Sequence, residues 1–353
     1  MIISTKEFRQ YAKGIKALYQ KGHPMSQSVY LDIKNKEARV INPFMYSIAS
    51  FPFVVNEENE GEHIDNFFVS MTPFLAICDS YTELTLNSDR EFVAPNGEKF
   101  TPASYDDDEY EIPKKYEDFS CEEVNPDDIA KLSIAVKFSG EEGTNGAILC
   151  NTVVATDKVS FYENVNLAGN YQDVYKFSPF AISFLQNIFI DDITVGKHEG
   201  YLLVTINKSF RFMFPESNGN VPPSYYSGEF MDGYKHENYV TVSRQSLIEN
   251  LRFLSPFVSD VVNERISFKV DGDKFYLIAK EEHKAQKYVD IENSVLELNG
   301  VEVFISRQRI VDLVNVIKDD KLDIHLEAEK PVIYITGHEK TDVNTICVRL
   351  TND

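Results

Sequence analysis

An order of elements (helix, strands, helix, strands) comes three times along this 353-residue chain, and few folds accommodate such a recurrence. In the first round a helix is predicted over residues 5–20. Phe8, Ala12, Ile15, Leu18 and Tyr19 fall there on one stripe at steps of three and four, with Ser4 or Thr5 as N-cap and Glu7 in the first turn. Alternating apolar residues predict strands over 29–33, 37–41, 46–55 and 67–69. A second helix is predicted over 71–81, capped by Ser70 with Pro73 in its first turn, and strands over 84–86 and 91–93 close the round.

The second round opens on Asn125 as cap and Pro126 at the first helical position, giving a helix over 125–138 with Ile129, Leu132 and Val136 inward. Strands follow over 147–150, 153–156, 159–162 and 175–177, then a helix over 179–189 capped by Ser178, then strands over 193–195, 201–206 and 210–214. In the third round Ser243 caps a helix over 243–255 with Leu247, Leu251 and Leu254 inward. Strands over 266–270 and 274–279 flank Asp271-Gly272-Asp273, a strong hairpin signal. Strands over 286–292 and 301–305, a helix over 306–318 capped by Ser306, and strands over 322–326, 332–336 and 345–350 complete the chain. The reading is an α+β protein of three repeats, at 1–122, 123–239 and 240–353. An acidic connector is expected over 104–128 and a Pro/Gly/Tyr-rich one over 221–239.

Charge sharpens this plan. Asp and Glu number 56 against 35 Lys and Arg, a formal charge of −21, which excludes a protein that coats nucleic acid with its whole surface. Yet residues 1–21 carry five basic side chains and one acid, and Lys6, Arg9, Lys13 and Lys16 stack along one stripe of the first helix. Lys131 and Lys137, Arg244 and Arg252, and Arg307, Arg309 and Lys318 likewise fall off the apolar stripes of their helices, whereas the helices over 71–81 and 179–189 carry no basic residue. A solvated helix face explains one such stripe; its recurrence on four helices argues for one shared anionic partner.

Other chemistry is missing. Cys78, Cys121, Cys150 and Cys347 are scattered, with no CxxC pair, and read as reduced thiols of a cytoplasmic protein. The seven histidines show no paired metal-ligand spacing, and the contiguous carboxylates of Asp106-Asp107-Asp108-Glu109 read as a solvated connector, so no metal is expected. The glycine cluster at Gly140, Gly143 and Gly146 lacks the Lys-Ser/Thr end of a phosphate loop, and no G-x-S-x-G elbow is present. The chain is read as a non-enzyme without cofactor. Neither a signal peptide nor an apolar run of membrane-spanning length is found, so no membrane partner is expected.

Several segments resemble the bacterial sliding clamp, the β subunit of DNA polymerase III. Val242-Ser243-Arg244-Gln245-Ser246-Leu247 resembles the opening helix of that family's third domain, the 266–275 segment its following hairpin, and 310–318 its second helix. Val348-Arg349-Leu350 sits where the family ends in a hydrophobic-Arg-Leu tail. Val154-Ala155-Thr156-Asp157 matches the start of the Ala-Thr-Asp-Gly-His-Arg turn, and Gly228-Glu229-Phe230 half of the Gly-x-Phe-Pro-x-Tyr connector. The first third matches by pattern only, and the divergence suggests a phage or mobile-element version.

The resemblance implies a head-to-tail homodimeric ring of six clamp domains, helices lining the hole and antiparallel sheets outside. Lys6, Arg9, Lys13, Lys16, Lys131, Lys137, Arg244, Arg252, Arg307 and Lys318 would then face double-stranded DNA without reading sequence. A clamp loader and a replicative polymerase would be partners. The polymerase would dock through a peptide pocket at Thr156, Phe161, Val332, Ile346, Val348 and Arg349, whose apolar members read equally as strand core. This chain departs from the family in Lys158-Val159-Ser160, which replaces Gly-His-Arg, and in Cys347, where a proline is usual. The strands over 269–277 and 84–93 are candidates for the ring contacts. Two other readings stay open: an acidic structural or interaction protein of a phage particle, and an enzyme acting on nucleic acid.

Overall fold

The computed structural model describes residues 1–57, 64–106, 119–140, 145–217, 238–259, 261–281, 283–294, 300–326, 332–340 and 342–348. The chain divides into two compact units, Met1–Pro126 with Phe180–Glu216, and Asp127–Pro179 with Ser217–Asp353.

In the first unit, helix α1 (Lys6–Ala17) follows the short strand Ile2–Ser4, and α2 (Met71–Ser80) follows Phe67–Ser70. A nine-stranded antiparallel sheet runs in the order Ser104–Asp106, Phe67–Ser70, Ser28–Asp32, Glu37–Asn42, Ser47–Pro52, Phe210–Pro215, Tyr201–Ile206, Ile193–His198, Ser120–Val124. The first and middle repeats meet in its centre, where Ile48 pairs with Met213 and Ser50 with Arg211. A five-stranded sheet contains Val55–Glu57, Ile2–Ser4, Glu83–Leu86, Phe92–Val93 and Lys99–Phe100. The core between helices and sheet is largely phenylalanine. Phe8 of α1 meets Phe51 at 5.3 Å and Phe74 of α2 at 5.0 Å, both edge-on, a preferred aromatic geometry. Tyr11 sits 4.4 Å from Phe210 and its hydroxyl hydrogen-bonds Ser209 at 3.0 Å.

The second unit holds most of α3 (Pro126–Ala135), continued by the 3-10 turn Val136–Phe138, then α5 (Arg244–Val258) and α6 (Arg307–Val316); the short α4 (Pro179–Leu185) passes almost wholly into the first unit. Its twelve-stranded sheet runs Tyr175–Phe177, Ala147–Leu149, Val153–Thr156, Ser160–Asn164, Val343–Val348, Val332–Gly337, Lys321–His325, Tyr239–Ser243, Ala285–Ser294, Lys274–Ala279, Arg265–Asp271, Glu302–Ser306. Here the middle and last repeats join, with Phe161 opposite Ile346 and Ser160 opposite Cys347. The cap at Ser243 forms as expected, its Oγ accepting from the Ser246 amide at 3.4 Å. Thr5 sits at the N-cap of α1, but its hydroxyl donates to the Tyr81 carbonyl instead of capping.

Two expectations change. The strands over 269–277 and 84–93 were assigned to ring contacts, but each is hydrogen-bonded on both sides. Arg265–Asp271 lies between Lys274–Ala279 and Glu302–Ser306, and Glu83–Leu86 between Ile2–Ser4 and Phe92–Val93. Strand addition needs an unpaired edge, which these strands lack. The connector over 104–128 is also not all loop. Ser104–Asp106 and Ser120–Val124 form the two outer strands of the nine-stranded sheet, while 107–118 lie outside the described residues, as do 218–237 of the second connector. No described helix is long and apolar enough to cross a membrane.

Candidate nucleic-acid interface and partner groove

Helix α1 buries Phe8, Tyr11, Ala12, Gly14 and Ile15, and this leaves Lys6, Arg9, Lys13 and Lys16 exposed along its other face. Lys16 approaches Asp79 at 3.8 Å with both side chains about half exposed, a pair that salt screens readily. Lys137, Arg252 and Lys318 are also exposed.

Three of the predicted DNA-facing cations are engaged within the fold. Lys131 donates to Asp128 at 2.7 Å and to the Asn166 carbonyl. Arg244 donates to the carbonyls of Val314 and Asn315 at 3.1 and 3.3 Å, capping the C-terminal end of α6 where the helix dipole favours a cation. Arg307 departs most from expectation. It is 5% exposed, its guanidinium on Glu264 and near the Leu251 carbonyl, so it is a buried ion pair and not a solvent-facing charge. A buried pair of this kind needs both partners, because removing one strands the other charge.

Three residues of the expected peptide pocket come together, as core. Phe161, Val332 and Ile346 join Ile148, Cys150, Val154 and Tyr334 in one cluster, with Val174 packed at its side. All seven cluster members are between 0 and 8% exposed, so they form closed core. Thr156 begins the adjoining turn. Its hydroxyl donates to the Ser160 carbonyl at 2.8 Å and accepts from the Lys158 amide at 3.0 Å, and Lys158 takes φ +72. Arg349 and the Val348 side chain lie outside the described residues.

Open space lies next to that turn. A groove of about 750 Å³ is lined by Lys137, Phe138, Asp157, Ser160, Glu264, Arg309, Asp312 and Asn315, among others. Asp157 accepts from the Val159 and Ser160 amides at 3.0 and 2.5 Å and is bridged by Arg309, which also donates to Ser160 Oγ at 2.9 Å. The bridge joins residues 152 positions apart, and no local pattern announces it. A second feature missed from sequence is a set of aromatic side chains on α5 and the strand Ala285–Ser294. Phe253 and Tyr288 are 48% and 52% exposed, Phe257 stacks on Phe253 at 5.6 Å, and Lys287 and Lys274 stand 4.1 and 4.5 Å over the Phe253 and Tyr288 rings. Among the described residues no group of three or more His, Cys, Asp or Glu side chains is placed to hold a metal.

Helix pairs packed on long antiparallel sheets, with strands of successive repeats joined edge to edge, are the fold of the DNA sliding clamps. Solved bacterial clamps match it over their full length. The DNA polymerase III β subunit of Thermotoga maritima is 15% identical with a TM-score of 0.77, covering 100% of this chain and 99% of its own. The sliding clamp of Bacillus subtilis is 12% identical with a TM-score of 0.79 over the same shares. The Helicobacter pylori β clamp bound to a DNA ligase peptide is 13% identical with a TM-score of 0.73, covering 99% of this chain and 100% of its own. No family model and no curated protein sequence matches.

Proposed function

We propose that this chain is a DNA sliding clamp, a non-catalytic processivity factor that encircles duplex DNA and tethers a replicative polymerase. The observation that carries the reading is the exposed Lys6, Arg9, Lys13 and Lys16 stripe on a clamp fold whose chain bears a charge of −21. Fixed cations attract phosphates without reading bases, and the net acidic remainder disfavours DNA coating the chain as a whole. Three repeats, at 1–122, 123–239 and 240–353, build each protomer, and two protomers close the ring in a cytoplasm, bacterial or that of a phage host. The exposed Phe253 and Tyr288, with half-buried Phe257 stacked on Phe253, support a protein contact at the third repeat, since exposed apolar surface of this kind marks interfaces. A clamp loader opens the ring. Partner peptides dock beside the Thr156 turn, where the groove at Asp157 and Arg309 supplies the open volume.

The test is retention on nicked circular against linear duplex DNA, loaded by a loader of the host. Retention on the circle alone, lost when Lys6, Arg9, Lys13 and Lys16 become Glu, supports the clamp reading. Indifference to DNA topology overturns it and favours an acidic structural protein. Light scattering at rising concentration should show a species of twice the chain mass.

A further inference from the structure

The first unit carries an aromatic platform at the C-terminal end of its basic helix that the clamp reading leaves unused. The turn between strands Glu37–Asn42 and Ser47–Pro52 presents Phe44, Met45 and Tyr46 in succession, 47%, 38% and 69% exposed. Three consecutive exposed apolar side chains are an error of surface design unless they have a function. The turn is built to hold them out. The Met45 amide donates to Asn42 Oδ1 at 3.0 Å, and Tyr46 takes φ +48, a left-handed conformation that a bulky residue rarely adopts without cause. Asn42 also ties the turn to the end of α1, its Nδ2 donating to the Leu18 carbonyl at 3.0 Å and to Gln20 Oε1 at 3.4 Å. The His23 ring stands edge-on to Phe44 at 6.1 Å, and Tyr19 is exposed on the same stretch.

Charge selects the occupant. Acids are 56 of the 353 residues, yet none lies between Glu7 and Asp32 or between Glu37 and Glu57, the two segments that make this end of the unit. Arg9, Lys13, Lys16 and Lys21 fall within the first of them. From another element Asp79 approaches this stripe, at 3.8 Å from Lys16. Exposed rings beside a row of cations in acid-free segments, with Asp79 as an exposed and screened neighbour, match unpaired nucleotides, whose bases stack on aromatic faces while phosphates follow the charges.

We propose that the Phe44–Tyr46 turn and the end of α1 form a binding site for single-stranded nucleic acid, with Phe44 and Tyr46 as stacking surfaces. Its position at the end of the basic helix suits a strand that leaves a duplex, but single-strand binding does not require the ring.

The experiment is fluorescence anisotropy of labelled oligo-dT and of a blunt duplex with the full-length protein at low salt. The double variant F44A/Y46A, checked by circular dichroism, should weaken oligo-dT binding at least about tenfold and leave duplex binding unchanged. Tyr46→Phe, which keeps the ring, should bind as the unaltered protein does. Equal oligo-dT affinity of F44A/Y46A and the unaltered protein overturns the proposal, as does absence of oligo-dT binding. Binding of anionic phospholipid vesicles through these rings, without oligo-dT binding, also overturns it. Retention on circular duplex is read separately: its loss with intact oligo-dT binding removes the clamp reading and leaves this site standing.

Discussion

Replacing Lys6, Arg9, Lys13 and Lys16 together with Gln should change how duplex binding depends on salt, by an amount the structure sets. All four side chains are exposed, so each is free to displace one condensed counterion. For duplex DNA each phosphate contact contributes about 0.9 to the slope of log affinity against log salt, so four contacts contribute about 3.6. The Lys16 pair with Asp79 is exposed and screened, and it subtracts little. Over a roughly fourfold rise in salt the unaltered protein should therefore lose roughly 150-fold more affinity than the variant. The assay is a salt titration of duplex binding by anisotropy. Arg307→Gln serves as the control. Its guanidinium is buried on Glu264, so the change should lower the unfolding midpoint and leave the salt slope alone. A quadruple variant with the unaltered slope, or an Arg307 variant that shifts the slope as much, would refute the assignment of the α1 stripe to phosphate contact.

Asp128 is fully buried, and its carboxylate accepts from the Ala168 amide at 3.1 Å, the Gly169 amide at 3.0 Å and the Tyr171 hydroxyl at 2.5 Å as well as from Lys131. Asp128→Ala removes a buried carboxylate that four donors share, so urea unfolding should show a loss of about 3 kcal/mol. Burial pushes the Asp128 carboxyl up, but hydrogen bonds from Lys131, Tyr171 and the two amides outweigh it and hold the group below its ordinary value of 3.8. Its stabilisation is thus present above that value and lost as pH falls through the lower folded one, a dependence that should vanish in Asp128→Ala. Phe8→Ala removes a ring packed against Phe51 and Phe74 and should cost about 3–5 kcal/mol by the same measurement. In thiol titration of the native protein Cys121 should react first, because its side chain is exposed while Cys78, Cys150 and Cys347 are buried; burial raises all four thiols, Cys347 up to about 12. Fast reaction of three or four thiols would contradict that burial.

How far the sequence could be read depended on the range of the interaction. Helix α1, the Asp271-Gly272-Asp273 hairpin and the strand Tyr175–Phe177 were legible because period, cap and turn residues act within a few positions. Residues Phe161, Val332 and Ile346 do meet, but as sealed core, since a periodic apolar residue looks alike on a closed face and in an open cleft. Arg307 and Lys131 read as outward charges because a helical wheel shows direction but not the carboxylate waiting there, Glu264 and Asp128 respectively. The short strands Ile2–Ser4 and Ser120–Val124 escaped notice because each is defined by a partner far along the chain, and Lys99–Phe100 because two residues are too few to show a period.

The strand Ser47–Pro52 pairs with Phe210–Pro215, and Ser160–Asn164 with Val343–Val348. A ribosome therefore exposes Ser47–Pro52 as a half-paired ribbon until some 160 further residues have been made. The ribbon for Ser160–Asn164 waits in the same way for some 180 further residues. Such nascent edges recruit any extended neighbour, including another growing copy. Chains cut at repeat boundaries should accordingly aggregate, and yield in a cell should depend on how well chaperones shield those two ribbons during translation.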